Sequence, residues 1–96
     1  MPRNQKLTNV IAGRIVKVAT TEAESVLVLF DDDSRMKIKT ARPIALSPGS
    51  KVKSIQEANA EFKIEFEDGS TATFCLADPG SSVAVRDKNN VVEYLG

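Results

Sequence analysis

Residues 13–43 and 49–79 lie over one another at a fixed offset of 36 without a gap, GRIVKVATTEAESVLVLFDDDSRMKIKTARP over GSKVKSIQEANAEFKIEFEDGSTATFCLADP. Eight of the 31 aligned positions are identical, among them Gly13/Gly49, Val16/Val52, Phe30/Phe66, Asp32/Asp68 and Ser34/Ser70. A repeat of this kind is one supersecondary unit written twice, so each copy serves as an alignment partner for the other. It constrains strand register and tells core positions from surface positions.

Within both copies the apolar residues recur at period two, in short Val/Ile/Phe/Thr runs punctuated by Gly, Pro, Asp and Asn. This predicts strands near 10–19, 25–30, 34–40, 50–56, 61–66, 70–76, 82–86 and 91–95, with no amphipathic helix. In the second copy Phe62, Ile64 and Phe66 alternate with Lys63 and Glu65, and Ala72, Phe74 and Leu76 alternate with Thr71, Thr73 and Cys75. A two-residue Asp-Gly loop would put these two apolar sets on opposite faces. A three-residue loop, Glu67-Asp68-Gly69, pairs Ile64 with Ala72 and Phe62 with Phe74 and keeps both sets inward, with Gly69 in the left-handed region. The first copy repeats this through Asp31-Asp32-Asp33, which places Asp33 at the left-handed position and pairs Val26 with Ile38 and Val28 with Met36.

The reading is an all-β fold, a small antiparallel barrel or a tight sandwich of seven or eight short strands. Residues 1–8 are polar and read as a flexible N-terminus; 9–96 form one domain that ends in a hairpin over 82–95. Its expected core is Val16, Val26, Val28, Phe30, Met36, Ile38, Val52, Phe62, Ile64, Phe66, Phe74, Leu76, Val83 and Val85. The stretches LSPGSKV at Leu46–Val52 and FKIEFEDGS at Phe62–Ser70 resemble the entry and central hairpin of Tudor- and KOW-type small barrels. That resemblance, over residues 46–70, implies a small barrel.

Several chemistries have little to stand on. There is no His, which removes the commonest general base and metal ligand. The single Cys75 allows no intrachain disulfide and no thiolate cluster, and it has no imidazole to activate it. Asp31-Asp32-Asp33 invites a hard cation, but three consecutive carboxylates on a tight turn diverge, and Glu67-Asp68-Gly69 shows acidic turns to be how this chain closes hairpins. No catalytic residue, metal or cofactor is therefore assigned, and no enzyme is expected. The longest apolar run, Val26 to Phe30, is five residues, far below the ~20 needed to span a bilayer. A cytoplasmic location is the default expectation, with no membrane partner.

Two surfaces remain as candidates. Where the second copy turns Lys63 and Glu65 outward, the first has Leu27 and Leu29. Leaving two Leu in water forfeits roughly 1.5–3 kcal/mol each relative to burial, so intrachain cover or contact with another protein, itself included, is expected there. The other is Arg35-Met36-Lys37-Ile38-Lys39, whose outward cations Arg35, Lys37 and Lys39, with Lys53, make a minimal electrostatic footprint for nucleic acid. All four Phe point inward and Tyr94 is the one aromatic expected at the surface, so no stacking platform accompanies it. The leading expectation is a binding or assembly module working through protein contacts at Leu27 and Leu29. The alternative is a sequence-nonspecific nucleic-acid module.

Overall fold

The computed structural model describes residues 3–96. They form one helix, α1 (Gln5–Ile11), and eight strands: β1 (Val16–Thr21), β2 (Ser25–Phe30), β3 (Arg35–Lys39), β4 (Val52–Ala58), β5 (Glu61–Phe66), β6 (Thr71–Cys75), β7 (Val83–Arg86) and β8 (Val92–Leu95). The strands make two antiparallel sheets, one of five strands in the order β1-β2-β3-β7-β8 and one of three in the order β4-β5-β6. Among the described residues they do not close into a barrel, which corrects the closure implied by the Tudor/KOW resemblance. The protein is all-β, with both sheets facing a single core.

Alternation decides which side chains enter that core. In the second hairpin Phe62 pairs with Phe74 and Ile64 with Ala72; in the first Val26 pairs with Ile38 and Val28 with Met36. Both turns are three-residue loops in which the amide of Phe30 or Phe66 donates to Ser34 O or Ser70 O at 2.9 Å. Asp33 (φ 67°) and Gly69 (φ 89°) occupy the left-handed position that such a loop requires. Each aspartate before that position braces its turn. Asp32 Oδ1 accepts from the Ser34 amide and hydroxyl, and Asp68 Oδ1 accepts from the Ser70 amide and hydroxyl.

The backbone bonds between the halves come in exchanged pairs. Gly13 N–H donates to Val52 O at 2.8 Å and Gly49 N–H to Val16 O at 2.7 Å. Val16 N–H donates to Ser50 O at 2.8 Å, while Val52 N–H donates to Arg14 O at 2.9 Å. At the other end Ala41 donates to Cys75 O and Ala77 to Lys39 O. Irregularities fall at matching places too, between Val16 and Val18 in β1 and between Val52 and Ser54 in β4.

Two expectations are corrected. A strand was expected from residue 10 after a loose segment; instead Asn4 caps α1 by accepting from the Leu7 amide at 3.0 Å, and Leu7, Thr8 and Ile11 are buried. Residues 1 and 2 of that expected flexible segment lie outside the described residues. A seven-residue helix is too short to persist alone and is held by packing on β4 and β8. Its placement has a use: Asn4 N–H donates to Ile55 O and Ile55 N–H to Thr8 Oγ1, each at 2.9 Å, covering the outer edge of β4. Tyr94 was expected at the surface but is buried, its hydroxyl accepting from Asn4 Nδ2 at 2.9 Å. The amphipathic ring could not be placed by alternation alone, because α1 covers it.

Candidate functional site

The outer face of the five-stranded sheet is built by the residues that alternate with the core set on β1, β2, β3 and β7. Register puts Thr20 beside Leu27 and Val18 beside Leu29, Leu27 beside Lys37 and Leu29 beside Arg35, and then Lys37 beside Ala84 and Arg35 beside Arg86. The two surfaces separated in the sequence are thus one surface. Leu27 and Leu29 sit directly against Lys37 and Arg35.

This face is exposed where soluble sheets are ordinarily polar. Val18 is 46% exposed, Leu27 36% and Leu95 64%, while Leu29 is half-buried among its neighbours. Two shallow depressions adjoin on it, each of about 330 Å³. One is lined by Val18, Thr20, Leu27, Leu29 and Arg35. The other is lined by Leu27, Arg35, Lys37, Ala84, Arg86 and Asn90. They share Leu27 and Arg35, so an apolar hollow and a cationic hollow meet along one wall.

The cations here are uncompensated. Among the described residues, ion pairs join Arg14 to Asp32 and Glu93, Lys17 to Asp33, Lys51 to Glu67 and Lys53 to Glu65. Arg35, Lys37, Lys39 and Arg86 take part in none. Arg35 and Arg86 stand directly opposite one another on the β3–β7 ladder, a like-charge pair that disfavours the sheet in isolation. Arg86 Nη1 is tethered by donating to Asn90 O at 3.0 Å. Arg86 was missed from the sequence because β4, β5 and β6 intervene between β3 and its partner strand β7.

Lys53, grouped with these cations in the sequence, is placed elsewhere. It lies on β4 in the other sheet and pairs with Glu65 at 3.9 Å. Lys17 and Lys51 are likewise paired, with Asp33 and Glu67.

Lys37 and Lys39 also line a groove of about 570 Å³ with Glu24, Ser25 and Thr40. A groove of similar size, about 580 Å³, occupies the matching place in the second copy, lined there by Glu61, Thr73, Phe74, Cys75, Ile44 and Arg42. The cations of the first groove are therefore replaced by Thr73 and Cys75 in the second. Cys75 is exposed. The first groove thus carries two lysines with one glutamate, and the second a single Arg42 with Glu61 and a more apolar lining.

Titration is perturbed away from this face, at the turn and at the joint beneath it. Burial acts to raise the Asp32 carboxyl, but hydrogen bonds from the Ser34 side chain and amide and the nearby Arg14 charge outweigh it and hold it below its ordinary value. Hydrogen bonds from Ser70 lower Asp68. Arg14 is held further into its charged form, chiefly by its hydrogen bonds to Glu93. These groups brace the fold and do not converge on a reacting centre.

No helix among the described residues is long and apolar enough to cross a membrane. No family model matches the chain, and no curated protein or solved structure matches it. The fold and this face define a small all-β protein of two antiparallel sheets, with a mixed apolar and cationic face on the larger one.

Proposed function

We propose that this protein is a non-enzymatic binding module that docks acidic, partly apolar protein segments on the outer face of its five-stranded sheet. The observation that carries the reading is the junction of the two hollows. Leu27 and Leu29 offer apolar contact beside Arg35, Lys37 and Arg86, which form no ion pair among the described residues. Interface cores elsewhere favour apolar side chains together with Arg, and a ligand carboxylate between Arg35 and Arg86 would relieve their mutual repulsion. Cytoplasmic residence belongs to the same proposal, the exposed thiol of Cys75 being suited to a reducing compartment.

The proposal extends to the frame. The chain reads as two copies of one three-stranded unit docked face to face, with the exchanged bonds Gly13 to Val52 and Gly49 to Val16 as its support. In this reading shared positions build the core, and diverged positions such as Leu27/Lys63 and Lys37/Thr73 carry the binding.

The test is fluorescence anisotropy with labelled peptides that alternate Glu with Leu, against matched peptides alternating Lys with Leu. Acidic peptides are expected to bind and basic ones not to. Leu27→Ser with Leu29→Ser, and separately Lys37→Glu, should each weaken binding at least about tenfold with the fold intact by circular dichroism. Equal binding of both peptide series, or none, overturns the proposal.

Arg35, Lys37, Lys39 and Arg86 together favour a second reading, contact with a nucleic-acid backbone. It predicts retention on single-stranded oligonucleotides that falls steeply with salt and upon Arg35→Ala or Lys37→Ala, yet is indifferent to Leu27→Ser. Loss of oligonucleotide binding in the leucine variant, or its absence at low salt, removes this reading.

A further inference from the structure

The two halves guard their strand edges differently. On β3 the outer edge is covered by β7, and on β4 it is covered by Asn4 and Thr8. The edge of β1 is met at Val16 by Gly49 and Ser50, but among the described residues its stretch from Ala19 to Thr21 has neither kind of cover. Ala19 and Thr21 lie opposite Val28 and Val26, which pair on their other side with Met36 and Ile38 of β3. Because Phe30 N–H donates to Ser34 O, alternation sends the backbone bonds of Val28 and Val26 to β3. Ala19 and Thr21 then direct their N–H and C=O groups away from the sheet. Ile55, which stands 36 residues after Ala19, does the same and finds Thr8 and Asn4.

We propose that two copies of this chain pair through β1, antiparallel about a two-fold axis at Thr20, to form one continuous ten-stranded sheet. In that register Ala19 and Thr21 of each copy exchange four backbone hydrogen bonds with Thr21 and Ala19 of the other, using the free backbone groups just described. The edge is open to it: Ala19, Thr20 and Thr21 carry no charge and no proline, the usual devices against edge pairing. Charge favours self-pairing as well. Lys17 of one copy, whose own contact with Asp33 is an exposed one at 4.0 Å, comes beside the bend of the other that carries Glu22 and Glu24, all three side chains being exposed. The symmetry supplies this contact twice and closes the assembly at two.

The other neutral edge, β6, argues by contrast. Pairing β6 with itself about Thr73 would set Asp68 against Asp78 at both ends, so its flanks repel where those of β1 attract. Pairing through β1 also brings the Val18–Leu27–Leu29 hollows of the two copies side by side at the centre of the sheet. The inference stands on the edge and does not require the peptide-binding reading.

The experiment is a cross-link at the axis combined with a charge swap. A non-hydrogen-bonded antiparallel pair brings Cα atoms to about 4.5 Å, within disulfide reach. In a Cys75→Ser background, Thr20→Cys should therefore oxidise to a covalent dimer, whereas Lys88→Cys, in the turn before β8, should not. By sedimentation equilibrium over a concentration series, Lys17→Glu should lower the association constant about tenfold, and Lys17→Glu with Glu22→Lys should restore it. Monomers at every concentration, or a dimer that ignores Lys17→Glu and gives no Thr20→Cys cross-link, overturn the proposal. Both readouts are independent of peptide binding.

Discussion

Arg14 grips Glu93 with both terminal guanidinium nitrogens, each 2.9 Å from a carboxylate oxygen, across a sequence separation of 79 residues. Its Nη1 also donates to Ser34 Oγ at 3.0 Å, and its Nε lies 3.5 Å from Asp32. One side chain thus ties β8 to the turn between β2 and β3. The Arg14 side chain is only 17% exposed, so removal of Glu93 leaves a mostly covered charge with fewer partners. Glu93→Ala is expected to cost about 1–3 kcal/mol, and Glu93→Gln less, because the amide oxygen still accepts one bond. Urea denaturation with an unchanged m-value checks it. A loss below about 0.5 kcal/mol for Glu93→Ala would place the pair among surface ion pairs of little consequence.

Acid should loosen the turns before it loosens the core. Asp32 and Asp68 are both held below their ordinary value of 3.8 in the folded state. A depressed carboxylate contributes stability that is present above the unfolded pKa and is lost as pH falls through the folded one. The melting temperature is therefore expected to stay level down to near that ordinary value and fall below it. With no histidine in the chain, no carboxylate-independent step is expected between pH 5 and 8 from imidazole. Asp32→Asn with Asp68→Asn should flatten the acid limb; an unchanged limb would assign it to other carboxylates.

What was legible in the sequence was what the hairpins decide locally. Of a two-residue and a three-residue loop, only the latter kept Phe62, Ile64 and Phe66 on the same side as Ala72 and Phe74, and the structure has that loop in both hairpins. The adjacency of Leu27 to Lys37 follows from the same register and was already contained in it. What was not legible depends on distant chain. Arg86 reaches Arg35 only because β7 docks on β3 after a whole three-stranded sheet has intervened. The helix over Gln5–Ile11 escapes a periodicity argument because two turns give three apolar points at most, Leu7, Val10 and Ile11. Tyr94 is buried by that helix, so it escaped with it.

Asp33 holds a left-handed conformation at φ 67° where the matching position of the other hairpin has Gly69 at φ 89°. Any residue with a Cβ is strained there, and the exposed Lys17 contact at 4.0 Å returns little. Asp33→Gly is expected to stabilise by roughly 0.5–1 kcal/mol, the relief of strain exceeding the added freedom of the unfolded chain. Gly69→Asp should move stability the other way. A fall in melting temperature for Asp33→Gly would mean that the aspartate side chain contributes more to the turn than its backbone costs.

Thr8 is the residue on which the guarded edge of β4 depends. Its Oγ1 accepts from Ile55 N–H at 2.9 Å and donates to Ile55 O at 3.4 Å, in a site where both residues are buried. Thr8→Val preserves shape and removes the acceptor, stranding an amide that water does not reach. The expected cost is about 1–3 kcal/mol, the penalty of a buried unpaired donor, whereas Thr8→Ser should cost less because the hydroxyl survives. Amide hydrogen exchange separates this from a general loss of packing. The Ile55 amide should lose protection in Thr8→Val by more than the drop in global stability accounts for, while Ile64 and Val28 follow the global value. Equal loss at all three amides would show that α1 stabilises the sheet through Leu7 and Ile11 alone, with Thr8 incidental to the edge.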